Sequence, residues 1–573
     1  MLSLKFIHLS LISATLAIAI PLAETSCSVA SILDSALEAL GGESVLNDLN
    51  GVTYHSPNVY RSRSLMQSYE MTRADTFIAI SGHQNISFSF MSEELQQRID
   101  RQFVPSSYWV WGSPTLNAFN FSLVVQSGDD GFACYVNGNN QIWLPSDLAS
   151  GYTDAALAEY LVLHGNMLDP RLLLRLKSSN ATSASEMTIN NVKLLSVHDS
   201  DLDLTVIFDP ATNLPYIVRT FEDHAIYGAS TFDLYLNDYK TVEGLNFPHQ
   251  IQSVYNSSSQ NLDAVLEDYT IEQITLNPKF PSGFFDGIAE EESMFPKAAP
   301  RKVQGFSHAR ITEFSSNMLW SGLKNTTAED LKSKQPIPGL PSVHWLILEG
   351  DELGVKQLII EFETEVIVCD AAPQHSISVI QWIAENLKKP ITHLWPTHHH
   401  RDHSGGAKDF VEAGAKLIVP EMAVKYWSSI PNATFVTFND THPYVHSDEY
   451  TQAWFLWEQQ GSHAADLSYS FVTTKCPSND SPVAVFEADV WQAGMPPEQS
   501  DQALMRQWLD QVLNDGLTKD AIVLPTHGQV TPLLELINIT GYAYPQLSTL
   551  DWRAGAAKCD ARGNQQDLLW PRS

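Results

Sequence analysis

Four histidines and one aspartate lie within six consecutive positions, residues 398–403. His398 and His400 are two residues apart, so in an extended segment both imidazole rings leave the same side of the chain and can bind one metal ion. Asp402 and His403 follow, where they can bind a second ion. Imidazole nitrogens and carboxylate oxygens without a thiolate suit zinc, and also iron or manganese. The alternative is a surface histidine tract that binds metal only adventitiously.

The residues around this cluster predict a strand, a loop and a helix. Residues 391–395 are mostly apolar and Pro396 ends the run, while Ser404 can cap a helix that continues to Gly414. A loop after a strand is held by rigid neighbours and stays open to a substrate. The letters T-H-H-H-R-D-H-S-G-G at residues 397–406 resemble the signature of the metallo-β-lactamase superfamily of dinuclear metallohydrolases.

The resemblance implies a complete set of ligands for two metal ions. His463 precedes a predicted strand, and Asp489 and His527 each end one, in the order that the superfamily uses. By this resemblance, one metal is bound by His398, His400 and His463. The other is bound by Asp402, His403 and His527, and Asp489 bridges the two.

The third ligand has alternatives. His463 stands in a Gly-Ser-His sequence, where many superfamily members have Gly-His directly. His442 and His446 therefore stay open as candidates for the same role.

Other residues near the cluster are expected to support the ligands. Asp370 ends a predicted strand and is expected to orient one of the ligands. His393 and His399 are interpreted as structural, with His399 facing away from the metals. Asp402 is the ligand that we also expect to take part in catalysis.

The resemblance implies a hydrolase. Water held between two cations ionises near neutral pH and attacks an electrophilic centre, so no side-chain nucleophile is needed. The chain has neither a G-x-S-x-G sequence nor a P-loop, which removes the motifs of serine hydrolases and nucleotide-cleaving enzymes. We predict a metallohydrolase with two zinc ions per chain, or iron or manganese, that cleaves an ester, lactone, thioester or amide bond in a small molecule.

Two other functions remain open. An iron-dependent sulfur or redox enzyme can be built on the same fold, and metal content would distinguish it because zinc does not change valence. The third hypothesis is a non-catalytic protein in which an N-terminal sheet binds an apolar ligand.

The pattern along the chain predicts an α+β protein. After one amphipathic helix, residues 52–277 consist of short alternating segments that predict a mostly antiparallel sheet, with a helical interruption near residues 155–173. Segments 208–215 and 239–248 resemble the sheet of lipoprotein-carrier-like domains. The C-terminal part alternates strands and helices, which predicts the αβ/βα sandwich of the superfamily. The predicted divisions are a signal peptide (1–23), a β-rich domain (24–289), a linker (290–301) and a catalytic domain (302–573).

Net charge and the N-terminal segment limit the partners and the cellular compartment that we predict. The formal net charge of −32 over 573 residues argues against a nucleic acid or an anionic membrane surface as partner. Lys5, an apolar run and Pro21-Leu22-Ala23 predict a secretory signal peptide, with a membrane anchor as the alternative. The run is shorter than the ~20 residues of a membrane span, so we expect no stable membrane insertion.

The sequons and the cysteines also concern the predicted secretion. Nine N-x-S/T sequons predict a secreted glycoprotein; they begin at Asn85, Asn120, Asn180, Asn256, Asn325, Asn432, Asn439, Asn479 and Asn538. The five cysteines are too few for a disulfide scaffold, and their odd number leaves at least one thiol free or paired between chains.

Overall fold

The computed structural model describes most of the chain. The described residues are 28–62, 71, 78–105, 120–139, 150–153, 155–189, 191–224, 226–257, 262–293, 296–301, 327–348, 355–373, 375–459, 463–477, 481–494 and 499–545. The predicted signal peptide lies outside them. Among the helices that are described, none combines the length and the apolar character of a membrane span.

The N-terminal half forms one sheet of fourteen strands, and every described pairing in it is antiparallel. The strands are β1 (Gly51–Ser62), β2 (Ile78–Ser89), β3 (Gln96–Pro105), β4 (Asn120–Gln126), β5 (Phe132–Asn139), β6 (Gly151–Tyr152), β7 (Thr182–Ile189), β8 (Val192–Asp199), β9 (Leu204–Phe208), β10 (Pro215–His224), β11 (Gly228–Val242), β12 (Leu245–Ser257), β13 (Leu262–Thr270) and β14 (Gln273–Leu276). The β11–β12 turn has two central residues, Glu243 and Gly244, both with positive φ, as a tight hairpin requires. The predicted antiparallel sheet is confirmed.

Four helices accompany this sheet: α1 (Val29–Ala39), α2 (Glu43–Asn47), α3 (Ala155–Leu168) and α4 (Leu172–Ser178). In α1 the Ser28 hydroxyl accepts the N–H of Ser31 at 3.2 Å, which caps the first turn. Leu33, Ala36 and Leu37 recur at helical spacing and are buried in the core of the sheet.

The C-terminal half contains two sheets that face each other. One has the order β15 (Lys332–Lys334), β16 (Val343–Ile347), β17 (Lys356–Glu361), β18 (Val366–Cys369), β19 (Ile391–Trp395), β20 (Lys416–Pro420) and β21 (Phe435–Phe438). The other has the order β22 (Tyr444–Ser447), β23 (Thr451–Trp457), β24 (Ser468–Thr474), β25 (Ala484–Glu487), β26 (Ile522–Pro525) and β27 (Thr531–Pro532). Side chains from both sheets, among them Trp345, Phe455 and Phe486, form one apolar core between them.

Helices cover the outer faces of the two sheets. The helices are α5 (Ser376–Asn386), α6 (Arg401–Ser404), α7 (Ala407–Glu412), α8 (Val424–Trp427), α9 (Gln499–Asn514) and α10 (Leu533–Thr540). Residues of α5, α7 and α8 share a core with the first of the two sheets, and residues of α9 and α10 share one with the second. The predicted αβ/βα sandwich, and with it the α+β class, is confirmed.

One local prediction is wrong. Ser404 does not cap the helix after the histidine cluster: it lies inside α6, and α7 begins after Gly406. Its hydroxyl donates instead to the carbonyl of His399 at 2.8 Å, because a serine hydroxyl can bond a nearby backbone carbonyl as readily as a helix-end N–H.

The predicted linker lies on the first sheet where it is described. The backbone N–H of Tyr152 donates to the Ser293 hydroxyl at 2.8 Å, and that of Arg301 to the carbonyl of Ala155 at 3.3 Å. The domain boundaries themselves stay predictions.

Candidate metal centre

The predicted ligands all follow the ends of strands or lie in loops beside them. His398 and His400 follow β19, and Asp402 and His403 lie in α6. His463 is in the loop before β24. Asp489 follows β25 and His527 follows β26, and these two strands run parallel, so both residues lie at one edge of the second sheet of the sandwich. The site therefore lies where the two sheets of the sandwich meet.

The structure brings all seven predicted ligands together in two groups. One group contains His398, His400, His463 and Asp489, and the other contains Asp402, His403, His527 and Asp489. Within each group, one nitrogen or oxygen atom of every residue lies within 4.8 Å of the others. The division matches the one implied by the resemblance for the two metals.

Asp489 belongs to both groups. Its Oδ2 lies 3.3 Å from His463 Nε2 and 3.8 Å from His398 Nε2, on the side of the first group. The same oxygen lies 3.0 Å from His403 Nε2, and Oδ1 lies 3.6 Å from His527 Nε2, on the side of the second. One carboxylate can thus contact an ion in either group.

The centre is closed on one side and accessible on the other. The side chains of His398 and His403 are fully buried. The side chain of His463 is 26% exposed and that of Asp402 is 18% exposed. A substrate would approach past His463 and Asp402.

Two imidazoles of the first group, those of His398 and His400, are held in the neutral form. Burial, reinforced by the neighbouring histidines, holds the pKa of His398 and of His400 well below the usual range. A neutral imidazole has a free nitrogen lone pair for a metal.

In the second group, His403 differs from His398 and His400 because three carboxylates surround it. Burial alone lowers the pKa of His403, but Asp402, Asp489 and Asp370 outweigh it and raise that pKa well above its usual value. Burial alone raises the pKa of Asp402 and Asp489, but the imidazoles around them, His403 first, hold both well below the usual range. Both carboxylates are therefore ionised and attract a cation.

Asp370 fixes one ligand from behind. Its Oδ2 lies 2.8 Å from His403 Nδ1, which leaves His403 Nε2 directed at the second group. The same carboxylate accepts the Thr397 N–H at 2.8 Å and the Thr526 hydroxyl at 3.0 Å. Asp370 has a φ of +64°, an uncommon backbone conformation that aspartate tolerates better than most residues. The site thus contains the ligand-orienting contact expected of this residue.

The other histidines considered in the sequence analysis lie outside the two groups. His399 is buried and faces Asp466, with Nδ1 2.7 Å from Oδ1. His446 pairs with Glu365 at 2.9 Å, and His442 is exposed beside Thr441. His393 contacts Thr392 at 2.9 Å.

The donor set fits metal ions. His398 Nε2 and Asp489 Oδ1 are buried and have no hydrogen-bond partner among the described residues. Buried polar atoms are normally satisfied, so a pair of such atoms inside a cluster of ligands points to bound cations.

Three supporting residues escaped the sequence analysis: Asp466, Thr397 and Thr526. No residue spacing links Asp466 to His399 or Thr526 to Asp370, because these contacts join segments far apart in the chain. Thr397 directly precedes the cluster, but nothing in the sequence shows that its N–H meets Asp370.

Known proteins resemble this part of the chain. The sequence model that represents the metallo-beta-lactamase superfamily matches residues 350–447, which include the histidine cluster. Together with the two-sheet sandwich, this match confirms the superfamily resemblance of the C-terminal part. A hydroxyacylglutathione hydrolase of Erythrobacter litoralis (strain HTCC2594) is 61% identical over 36 residues, which is 6% of this chain and 14% of that protein. The chain thus spans about a seventh of the length of that curated relative.

Solved structures are similar to about a third of the chain at low sequence identity. A metallo-beta-lactamase from Pontibacter korlensis is 15% identical, with 37% of this chain and 99% of that chain covered and a TM-score of 0.28. A flavoprotein from Thermotoga maritima is 12% identical, with 37% of this chain and 60% of that chain covered and a TM-score of 0.29.

Proposed function

We propose that this protein is a secreted hydrolase that binds two metal ions and cleaves an ester, lactone, thioester or amide bond of a small molecule. The observation that supports the proposal is the pair of ligand groups that share Asp489. A structural zinc site has four protein ligands around one ion and no open position. Two adjacent groups with an accessible side instead suit a reaction.

Each residue has a role that follows from its position. Two bound divalent cations would supply a water that is acidic near neutral pH and would polarise the substrate. His398, His400 and His463 would hold the first ion, and Asp402, His403 and His527 the second. Asp489 would contact both, and Asp370 would keep His403 Nε2 directed inward. Asp402 is ionised at the accessible side, where its carboxylate can also accept a hydrogen bond during the reaction.

Zinc is the proposed metal. Reloading the metal-free protein with zinc also tests the alternative of an iron-dependent enzyme. Imidazole and carboxylate ligands accept zinc, iron and manganese, so the donor set does not choose among them. A hydrolase keeps its activity when the apoprotein is reloaded with zinc alone. A redox enzyme requires iron, because zinc does not change valence.

A carrier function has weaker support. The first sheet and α3 line a partly open cavity of about 90 Å³, with Leu161, Met167 and Phe232 in its wall. This volume is smaller than the roughly 150 Å³ of an engineered apolar cavity that binds benzene. In this conformation the cavity therefore offers less space than that apolar ligand occupies.

The experiment is a substrate screen with defined metal content. Purified protein is stripped with a chelator, reloaded with zinc, and assayed against ester, lactone, thioester, lactam and phosphodiester chromogens. Hydroxyacylglutathione is included as a thioester because of the 36-residue likeness to its hydrolase. We expect hydrolysis by the zinc form and none by the stripped form. A protein that binds two zinc ions and hydrolyses no member of the panel would contradict the proposal.

The secreted location is part of the proposal and has its own support. Cys476 is disulfide-bonded, and disulfides persist mainly in oxidising compartments. The sequon residues Asn180, Asn432 and Asn538 are exposed, as glycan attachment requires. We expect secreted material to begin near Glu24 and to lose mass on treatment with an N-glycosidase. Recovery of Met1 at the N-terminus would contradict the signal peptide.

A further inference from the structure

One hairpin of the N-terminal sheet reaches into the C-terminal sandwich. The turn between β10 and β11 contains Ile226 and Tyr227, both with no exposed surface. They belong to the same apolar core as Tyr426 and Trp427 of α8. The Ser429 hydroxyl donates to the carbonyl of Ile226. The tip of this hairpin is therefore packed in the interface between the two halves of the protein.

Aromatic contacts lead from this hairpin to the histidine cluster. The rings of Tyr227 and Tyr426 meet edge to face, with 5.8 Å between centroids. The ring of Tyr426 then meets that of His399 at 5.7 Å, again edge to face. Edge-to-face pairs have a preferred geometry, so each ring restricts the position of the next.

His399 connects these contacts to the backbone of the metal ligands. It lies between His398 and His400 in sequence, so a shift of its backbone moves both. Its ring holds Asp466 at 2.7 Å, and Asp466 lies three residues after His463. Its carbonyl accepts the Ser404 hydroxyl at 2.8 Å. His399 thus ties the loop of His398 and His400 to the segment that contains His463.

We propose that Tyr227 of the N-terminal sheet is a positioning residue of the metal centre, acting through Tyr426 and His399 on the loop of His398 and His400. The inference rests on the proposed metal site. It assigns a role to the N-terminal half: the hairpin keeps the first ligand group in place from outside the sandwich. Residues behind metal ligands affect metal binding because they fix the positions of the ligands. Mutation of such residues commonly changes metal affinity by about 10–100-fold.

The test uses cobalt(II), which binds the same nitrogen and oxygen ligands and has a visible spectrum that reports its coordination geometry. Full-length wild type, Tyr227→Ala, Tyr227→Leu and Tyr54→Ala are stripped of metal and titrated with cobalt. Tyr54 is the matched control, since it is buried in the core of the first sheet itself. Circular dichroism verifies that each variant is folded.

For Tyr227→Ala we expect an altered cobalt spectrum and about 10-fold weaker binding of one of the two cobalt ions. Tyr227→Leu keeps a large apolar side chain and loses the ring, so it should show a smaller change in the same direction. Tyr54→Ala should keep the wild-type spectrum and affinity, even if its thermal stability falls.

Several results would overturn the inference. One is a folded Tyr227→Ala with the wild-type spectrum and affinity, and another is an equal change in Tyr54→Ala, which would mean a general loss of stability. If Tyr227→Ala does not fold, the decision rests on Tyr227→Leu, and a spectrum and affinity identical to the wild type in that variant would overturn the inference. Failure of the wild type to bind cobalt would overturn both proposals. Normal cobalt binding without hydrolysis contradicts only the proposed function.

Discussion

The two halves of the protein bury charged side chains in different ways. In the N-terminal sheet, buried acids face guanidinium groups: Arg219 binds Asp233 through two hydrogen bonds of 2.7 and 2.6 Å, and Arg175 binds Asp169 at 3.1 Å. In the C-terminal centre, Asp489 instead faces four imidazoles at 3.0–3.8 Å, those of His398, His403, His463 and His527. The acids of the first kind are compensated within the fold. The acid of the second kind, Asp489, is arranged for metal cations, which the chain itself does not provide.

The largest expected effect concerns Asp489, the residue shared by the two ligand groups. Its carboxylate would offset the repulsion between two dications, which is why both ligand groups need it. We expect Asp489→Ala to lose roughly three orders of magnitude in hydrolysis, or about 4 kcal/mol of barrier, and to bind about one ion per chain. Elemental analysis beside turnover measures both.

The control for this prediction is His442→Ala. His442 is exposed and outside both groups, although the sequence left it open as an alternative third ligand. It should retain both ions and full activity. Loss of an ion in His442→Ala, with Asp489→Ala unaffected, would show that the ligands have been assigned incorrectly.

The second prediction concerns a compensated acid. Arg219→Met leaves Asp233 buried without its cation, and breaking a buried pair in this way costs about 3–5 kcal/mol of unfolding free energy. Denaturation midpoints should fall, while the number of ions bound at saturating metal stays the same. Lys193→Met, which removes an exposed ion pair of the same sheet, should leave the midpoint unchanged. A change in metal content in Arg219→Met would contradict the distinction between acids that are paired within the fold and acids that are arranged for metal ions.

The third prediction concerns Glu487, a buried acid beside the centre. Burial, assisted by Asp489, raises the pKa of Glu487 to about 8. The folded metal-free protein therefore keeps a proton that the unfolded chain releases above about pH 4.3. Its unfolding free energy should fall as the pH rises from about 4.3 to 8, by up to about 1.4 kcal/mol per pH unit, and should level off above.

Glu487→Gln should remove this slope, because the amide does not titrate. Denaturation of metal-free protein across this pH range measures it, with Glu421→Gln as an exposed control. An unchanged slope in Glu487→Gln would assign the pH dependence to other groups.

The sequence predicts local features of this protein better than distant contacts. His398, His400, Asp402 and His403 are close in sequence, so their spacing alone indicates a shared site. The first helix could also be predicted, because Leu33, Ala36 and Leu37 recur at helical spacing.

Long-range pairing could not be predicted in the same way. β1 pairs with β13 and β14, which are more than 180 residues away, and alternating polarity does not indicate which strand is the partner. The contact of Tyr227 with Tyr426 joins the two halves of the chain and has no local pattern. Ser404 shows that a short-range prediction can also fail, because its hydroxyl donates to the carbonyl of His399 instead of capping a helix.

The position of the centre between two sheets has a consequence for how the protein is made. The ligands extend from His398 to His527, so a growing polypeptide cannot form the site until both sheets of the sandwich have been synthesised and have docked. Metal uptake should therefore be a late event that only nearly finished chains can reach. Since a ligand that binds only the native state stabilises it by mass action, the ions would add their stabilisation after the sandwich has closed. A chain that ends before His527 would not gain this stabilisation, and quality control could recognise it by its lower stability.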